Sequence, residues 1–238
     1  MTTRNGTDGQ VALVTGASRG IGAAIAEALA TDGNHVILTA RTAADLEQVE
    51  ERIHQQGGSA TIAPLDLTQT DAIARLATAV GERWKKLDVL VLNAATLGSL
   101  AAVPAIDPKE FAQVLTLNVS AQLAMLTAFD PLLRASEGAR VIGVTSSVAR
   151  QPRAYWGAYG ASKAAFETLL LSYGDEVERM TGVRCAVLDP GATRTKMRER
   201  AYPGEDPNSV KPPEVVAERI AELAVAGYEP GYFERVSA

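Results

Sequence analysis

Short apolar runs rich in β-branched residues, Val11–Thr15, His35–Ala40, Thr61–Leu65, Asp88–Leu92, Arg140–Thr145 and Val183–Leu188, alternate with longer stretches of helical periodicity. Ile21, Ile25 and Leu29 fall at i, i+4 and i+8, whereas Leu46, Val49 and Ile53, and again Ile73, Leu76 and Val80, fall at i, i+3 and i+7. Strands that are apolar nearly end to end are strands covered on both faces. Strict alternation without a compositional break therefore predicts an α/β chain with one doubly wound parallel sheet flanked by helices, in a single domain over residues 9–238. Asp107 as N-cap, Pro108 at N1 and Glu110 at N3 open a helix expected to reach about Leu133. A second follows Lys211-Pro212-Pro213 to about Ala226, and Gly231–Val236 reads as a last short strand. Residues 1–8 read as a flexible tail, and Tyr202–Lys211 as a surface loop near the site.

Composition narrows the function. The 238 residues suit one large domain or two small ones, and the unbroken alternation favours one. A net charge of −5 lacks the basic field that nucleic acid or an anionic membrane requires. Cys185 is alone, and His35 and His54 lie far apart, so neither an internal disulfide nor a Cys/His metal cluster is expected. Met1–Gln10 has no apolar signal core, and no apolar run approaches the ~18 residues of a membrane span. The expectation is a cytoplasmic protein without metal, membrane or nucleic-acid partners.

In a doubly wound sheet, ligands bind beyond the carboxyl ends of the strands. Thr15-Gly16-Ala17-Ser18-Arg19-Gly20-Ile21-Gly22 occupies such a place, between the first strand and the first helix. Its glycines permit close backbone approach, and a helix N-terminus offers N–H groups and a partial positive charge to a pyrophosphate. A tight turn that needs glycine only for its geometry would read the same way. An NAD site places an acid after the second strand; here that strand ends Thr39-Ala40-Arg41. Arg41 and Arg19 are suited instead to a 2′-phosphate, because guanidinium matches phosphate in shape and charge.

Tyr159 and Lys163 stand at i and i+4 on one helical face. A neighbouring ammonium and the helix start favour phenolate, and bringing a phenol from about pH 10 to neutrality requires roughly 4 kcal/mol. Ser146, after the fifth strand, precedes Tyr159, with Ser147 as its rival. Asn118 interrupts the apolar face of Leu115, Leu117 and Val119, where a structural hydrogen bond is the competing role.

The Gly-rich segment, Asn93-Ala94-Ala95 after the fourth strand, Asn118, Ser146, Tyr159-x-x-x-Lys163 and Asp189-Pro190-Gly191 together resemble the short-chain dehydrogenase/reductase family, in its order, from Val11 to about Thr195. Trp156-Gly157-Ala158-Tyr159 and Gly191 to Arg198 are similar to a bacterial oxidoreductase branch of it. The resemblance implies a Rossmann-type fold. It implies Tyr159 as general acid/base, Lys163 lowering its pKa and binding the nicotinamide ribose, and Ser146 (the family's spacing falls on it rather than on Ser147) holding the substrate carbonyl. Asn118 would anchor a water in a proton relay. The implied cofactor contacts are Gly16, Ser18, Arg19, Gly20, Ile21 and Gly22; Arg41; Asp66 and Leu67 at the adenine; Asn93 and Ala94 near its ribose; and Pro190, Gly191, Thr193 and Thr195 around the nicotinamide. The chain departs from the family at Leu92, where an amide is usual, at Ala95 and Ala149, where glycine is usual, and in lacking a closing Asp-Gly-Gly.

The leading expectation is thus an oxidoreductase that prefers NADP(H) over NAD(H) and moves a hydride between nicotinamide and a carbonyl or alcohol. One alternative is an NADPH-binding regulatory protein without turnover; another, a Ser146/Lys163 hydrolase, lacks the G-x-S-x-G elbow. The helices bearing Asn118 and Tyr159 carry Leu123, Met125, Leu126 and Phe129, and Phe166, Leu169, Leu170 and Leu171, on more than one face, which predicts a homodimer or homotetramer. Arg150, Arg153, Arg194, Lys196 and Arg198 would flank the cleft and attract an anionic carbonyl, with Tyr155 and Trp156 as an apolar wall. The competing outcome is that these cations face solvent or pair with Glu199 and Glu205.

Overall fold

The apolar runs form β1 (Val11–Thr15), β2 (His35–Ala40), β3 (Ser59–Pro64), β4 (Val89–Leu92), β5 (Arg140–Val144), β6 (Arg184–Asp189) and β7 (Tyr232–Arg235) in a computed structural model that describes residues 9–229 and 231–237. The expected tail, residues 1–8, lies outside the described residues. All seven strands pair in parallel in the order β3-β2-β1-β4-β5-β6-β7. The chain reverses its direction of travel across the sheet between β1 and β4, and this switch point opens a crevice at the carboxyl ends.

Side-chain alternation sorts the strands' apolar residues between two helical layers. Val14, Leu38, Val91 and Val144 pack against α1 (Gly20–Thr31), α2 (Ala43–Gln55) and α8 (Pro213–Val225). Leu13, Ile37, Leu90 and Val141 pack against α3 (Thr70–Trp84), α5 (Ala121–Arg134) and α6 (Gly157–Glu178). Fully buried side chains such as Phe129 and Phe166 each contribute roughly 1.5–3 kcal/mol.

Strand ends differ from the periodicity by one or two residues, for local reasons. β3 starts at Ser59 because its hydroxyl meets His35 Nδ1 (2.7 Å) across the ladder. Asp88 stays outside β4, its carboxylate accepting Val11 N–H (2.9 Å) and Ser136 Oγ–H (2.6 Å).

The expected long helix is interrupted. Asp107 does cap α4 (Pro108–Leu115), accepting Lys109 N–H at 2.8 Å, but Thr116–Ser120 forms a π-helical turn before α5. The buried line is therefore Val114, Asn118, Ala121, Gln122 and Met125, while Leu115, Leu117 and Val119 are half-buried. Within Pro108–Arg134 an 18-residue window reaches a mean hydropathy of 1.3, enough by length and composition for a membrane-crossing helix, yet Met125, Phe129 and Leu133 lie in the core. The apolar residues expected to mark a self-association face divide likewise. Met125, Leu126, Phe129, Phe166 and Leu170 are buried within the chain; Leu123 is exposed, and Leu169 and Leu171 are half-buried.

Candidate active site

At the switch point one hydroxyl joins the central strands. Thr15 Oγ1 donates to Val91 O (3.1 Å) and accepts the N–H groups of Asn93 (2.9 Å) and Ala94 (3.0 Å). The Asn93 amide donates back to Thr15 O (2.9 Å) and Gly16 O (3.4 Å). Gly16 has φ +68°, and a methyl on Gly22 would stand 2.2 Å from Gly16 O, so both positions require glycine. Leu92, in place of the family's amide, is a core side chain 1 % exposed.

Arg19 is the N-cap of α1, but its side chain makes no capping bond and the first turn carries no acid. The first N–H groups of a twelve-residue helix are left for a ligand, beside half-buried Ser18, Gly20 and Ile21. That uncapped end fits a pyrophosphate. Ala17 N–H donates to Thr39 O (3.1 Å), bringing the loop against the end of β2, where Arg41 is exposed. Thr68 donates its N–H (3.0 Å) and hydroxyl (2.8 Å) to Asp66, and together with the charge of Arg41 these hold the carboxyl below its ordinary range. Asp66, Gln69 and Arg75 line a cavity of about 440 Å³ there. Leu67 instead packs into the core (4 % exposed), so its side chain supports the site from beneath.

At the ends of β5 and β6 stand the other candidates. Ser146 leads into a 3₁₀ turn, Ser147–Ala149, and both serines are half-buried. Tyr159 and Lys163 are 7 % and 3 % exposed. Lys163 Nζ donates to Val144 O (2.8 Å) and lies 6.0 Å from the centre of the Tyr159 ring. Burial lowers the Lys163 pKa to about 8, against the opposing pull of Glu167. The Tyr159 phenol is pushed up by burial and by Asp189, not down as the i, i+4 spacing suggests. The ammonium is bonded to a backbone carbonyl, and desolvation disfavours phenolate.

Asn118 is 1 % exposed, and its amide is committed. Oδ1 accepts Thr96 N–H (2.8 Å), and Nδ2 donates to Thr96 O (2.9 Å) and Ser162 Oγ (2.9 Å), which uses both amide hydrogens. Ser162 in turn donates to Tyr159 O (2.7 Å). Sequence reasoning passed over Ser162, although its place three residues after Tyr159 could have flagged it, and it passed over the strand-linking Thr15. Downstream, Gly191 N–H donates to Asp189 (2.9 Å), Thr193 Oγ1 to Pro190 O (3.0 Å), and Arg194 N–H to Lys211 O (2.8 Å). Thr195 caps α7 (Lys196–Ala201), accepting Arg198 N–H at 3.1 Å.

Tyr159 lies in an apolar pocket of Leu97, Val148, Leu100, Trp156, Met197 and Ala201. Trp156 meets Tyr159 edge-on and Tyr202 tilted, at 6.0 and 5.7 Å between ring centres. Tyr155 points to solvent, 62 % exposed, so Trp156 alone supplies the aromatic wall expected of the pair. The cations are mostly engaged elsewhere. Arg150 pairs with Glu167 (2.8 Å), Arg198 binds Glu205 through two nitrogens (2.7 and 2.6 Å), and Arg153 donates to the Tyr202 hydroxyl. Arg194 and Lys196 are exposed. Among the described residues no three His, Cys, Asp or Glu side chains gather as metal ligands.

A doubly wound sheet with an uncapped helix at its switch point, and a buried Tyr–Lys pair on α6 whose lysine reaches the end of β5, defines an NAD(P)-dependent oxidoreductase. Residues 10–206 match the short chain dehydrogenase family model, and the chain belongs to that family. It is 36% identical over 207 residues to the Escherichia coli K12 oxidoreductase YciK, covering 86% of this chain and 81% of that one. A short chain dehydrogenase from Pseudomonas syringae superposes with a TM-score of 0.93 at 38% identity, covering 97% and 95% of the two chains. One from Escherichia coli CFT073, complexed with NADPH, gives 0.92 at 33% identity over 98% of each.

Proposed function

We propose that the chain is an NADPH-preferring reductase of carbonyl compounds in which Tyr159 donates the proton. The observation that carries this is the buried phenol in an apolar pocket, which holds its proton at neutral pH, beside a cation one helical turn away. When bound, NADPH supplies the hydride. Ser146 Oγ orients the carbonyl oxygen toward the Tyr159 hydroxyl, and Lys163 opposes the charge left on the phenol as its proton departs. Asn118 holds Thr96 and, through Ser162, the backbone of Tyr159 in place. Gly16, Ser18, Gly20, Ile21 and Gly22 would hold the pyrophosphate, Arg19 and Arg41 the 2′-phosphate, and Asp66, Leu67, Asn93 and Ala94 the adenosine. Pro190, Gly191, Thr193 and Thr195 would hold the nicotinamide end. The homologue complexed with NADPH supports this choice of cofactor.

Tyr159→Phe tests the assignment. It keeps the ring and removes the transferable proton, so turnover with a panel of aldehydes and ketones should fall about 10²–10⁴-fold while NADPH affinity persists. Unchanged kcat would place the donor elsewhere, and no turnover in the unmodified protein would favour a regulatory NADPH binder. The outward Leu123, with half-buried Leu169 and Leu171, supports self-association through α5 and α6; a solution mass near 25.0 kDa would contradict it.

A further inference from the structure

We propose that Glu167 is a positioning residue of the reaction, clamping the Ser146 turn from both sides and placing a fixed negative charge one helical turn from Lys163. The proposal rests on Tyr159 and Lys163 being the reacting pair. Thr145 and Arg150 bracket the turn that carries Ser146, and both bond the same buried carboxylate. Thr145 Oγ1 donates to Oε1 (2.6 Å) and Arg150 Nε to Oε2 (2.8 Å). Lys163, four residues earlier on α6, binds Val144 O. Successive turns of one helix thus grip Val144, the last residue of β5, and Thr145 after it, immediately before the serine. Arg150 is fixed on its outer side by the Phe233 ring of β7, 3.5 Å away.

A carboxylate 6 % exposed is costly to bury. A neutral amide could accept the Thr145 hydroxyl equally well, so the tie alone does not call for a charge. The negative charge has a use at Lys163, whose ammonium loses stability through burial and recovers part of it from Glu167. On its own helix Lys163 has the Tyr159 ring 6.0 Å away and Glu167 acting on its charge; Arg150 from the turn binds Glu167, and Asp189 at the end of β6 acts on the Tyr159 phenol. Asp189 faces Arg235 of β7 at 3.5 Å and Lys211 from the loop before α8.

Two substitutions displace the Lys163 titration in opposite directions, which a merely structural ion pair would not do. Glu167→Gln keeps an oxygen for Thr145 and removes the charge, so Lys163 should deprotonate about one pH unit lower. Arg150→Met keeps contact with Phe233 and leaves Glu167 unopposed, so Lys163 should deprotonate higher. The first readout is the ¹³Cε shift of Lys163 titrated in the cofactor-free protein. The second is the alkaline limb of kcat with NADPH and a ketone, which should move the same way and leave Glu167→Gln about fivefold slower at pH 8. Titrations that stay put, or that move together in both variants, would overturn the proposal. If Glu167→Gln does not fold, an unshifted Arg150→Met overturns it alone. Tyr159→Phe separates the two levels: full turnover there refutes the reacting pair, whereas its loss beside unmoved titrations refutes only the role of Glu167.

Discussion

Gly22→Ala is the sharpest test of the phosphate loop, because one methyl group would collide with the loop's own backbone. The added Cβ would stand 2.2 Å from Gly16 O, 2.8 Å from Gly16 C and 2.6 Å from Asn93 Nδ2. Relief requires opening the contact by ~1 Å, far up the repulsive wall. The loop can yield only by moving the Gly16 carbonyl, which loosens the Asn93 bonds to Thr15 and Gly16, or by withdrawing the start of α1. Overpacking of this kind costs about 1–3 kcal/mol, and better helix propensity returns at most ~1 kcal/mol. The expected net is a Tm lower by roughly 2–8 °C for a domain of this size. Because the displaced groups are those offered to the pyrophosphate, NADPH affinity should fall about 10- to 100-fold, or roughly 1.4–2.8 kcal/mol. Fluorescence titration of NADPH and thermal melting provide both quantities. Gly227→Ala, where the new methyl meets nothing within 4 Å, is the control and should change neither. If Gly22→Ala binds NADPH as the unmodified protein does, the cradle is misplaced.

Arg41→Ala should weaken NADPH roughly ten- to hundredfold while sparing NADH, as loss of a charge-assisted phosphate contact does; equal effects in parallel titrations would remove Arg41 from the 2′-phosphate. Asn118→Ala strands the Thr96 backbone and Ser162, costing ~3 kcal/mol, so urea unfolding should shift accordingly, and a neutral result would deny the amide its structural role. Burial raises the pKa values of Cys185, Tyr159, Tyr173 and Tyr228. Their stabilising effect is complete below the unfolded values of about 8.5 for Cys and 10 for Tyr and is lost as pH climbs past them. Melting temperature should therefore drop above about pH 9, and Cys185→Ala should flatten the first part of the decline; an unaltered curve would argue against the thiol.

The sheet was legible because strands covered on both faces are apolar throughout, and the residues at their ends cluster in short linear motifs such as Gly16–Gly22 and Tyr159–Lys163. What escaped depended on contacts across the chain. The pull on the Tyr159 proton comes from burial and from Asp189, neither of which a tyrosine four residues before a lysine announces. Glu205 is a partner the sequence offers Arg198, and the fold takes it up, whereas Glu167 looks in sequence like any helix-surface acid. The π-turn left no trace in the periodicity, since one surplus residue shifts the phase without breaking the apolar pattern.

That turn has a consequence for chain length. Thr116–Ser120 joins α4 to α5 as a helix carrying one residue more than an α-ladder can bond, about 100° of surplus rotation taken up in a single wide loop. Removing one residue there, Val119 for example, would let the ladder close while α4 and α5 kept their present faces, Val114 toward the pocket beside Ala158 and Phe129 in the core. The regularised helix should exchange its amide protons more slowly. Yet the amide now anchoring Thr96 and Ser162 would be carried around the axis with the closing turn, and Tyr159 would lose the brace beneath its backbone. Regularity of the helix and readiness of the phenol are set against each other at one residue.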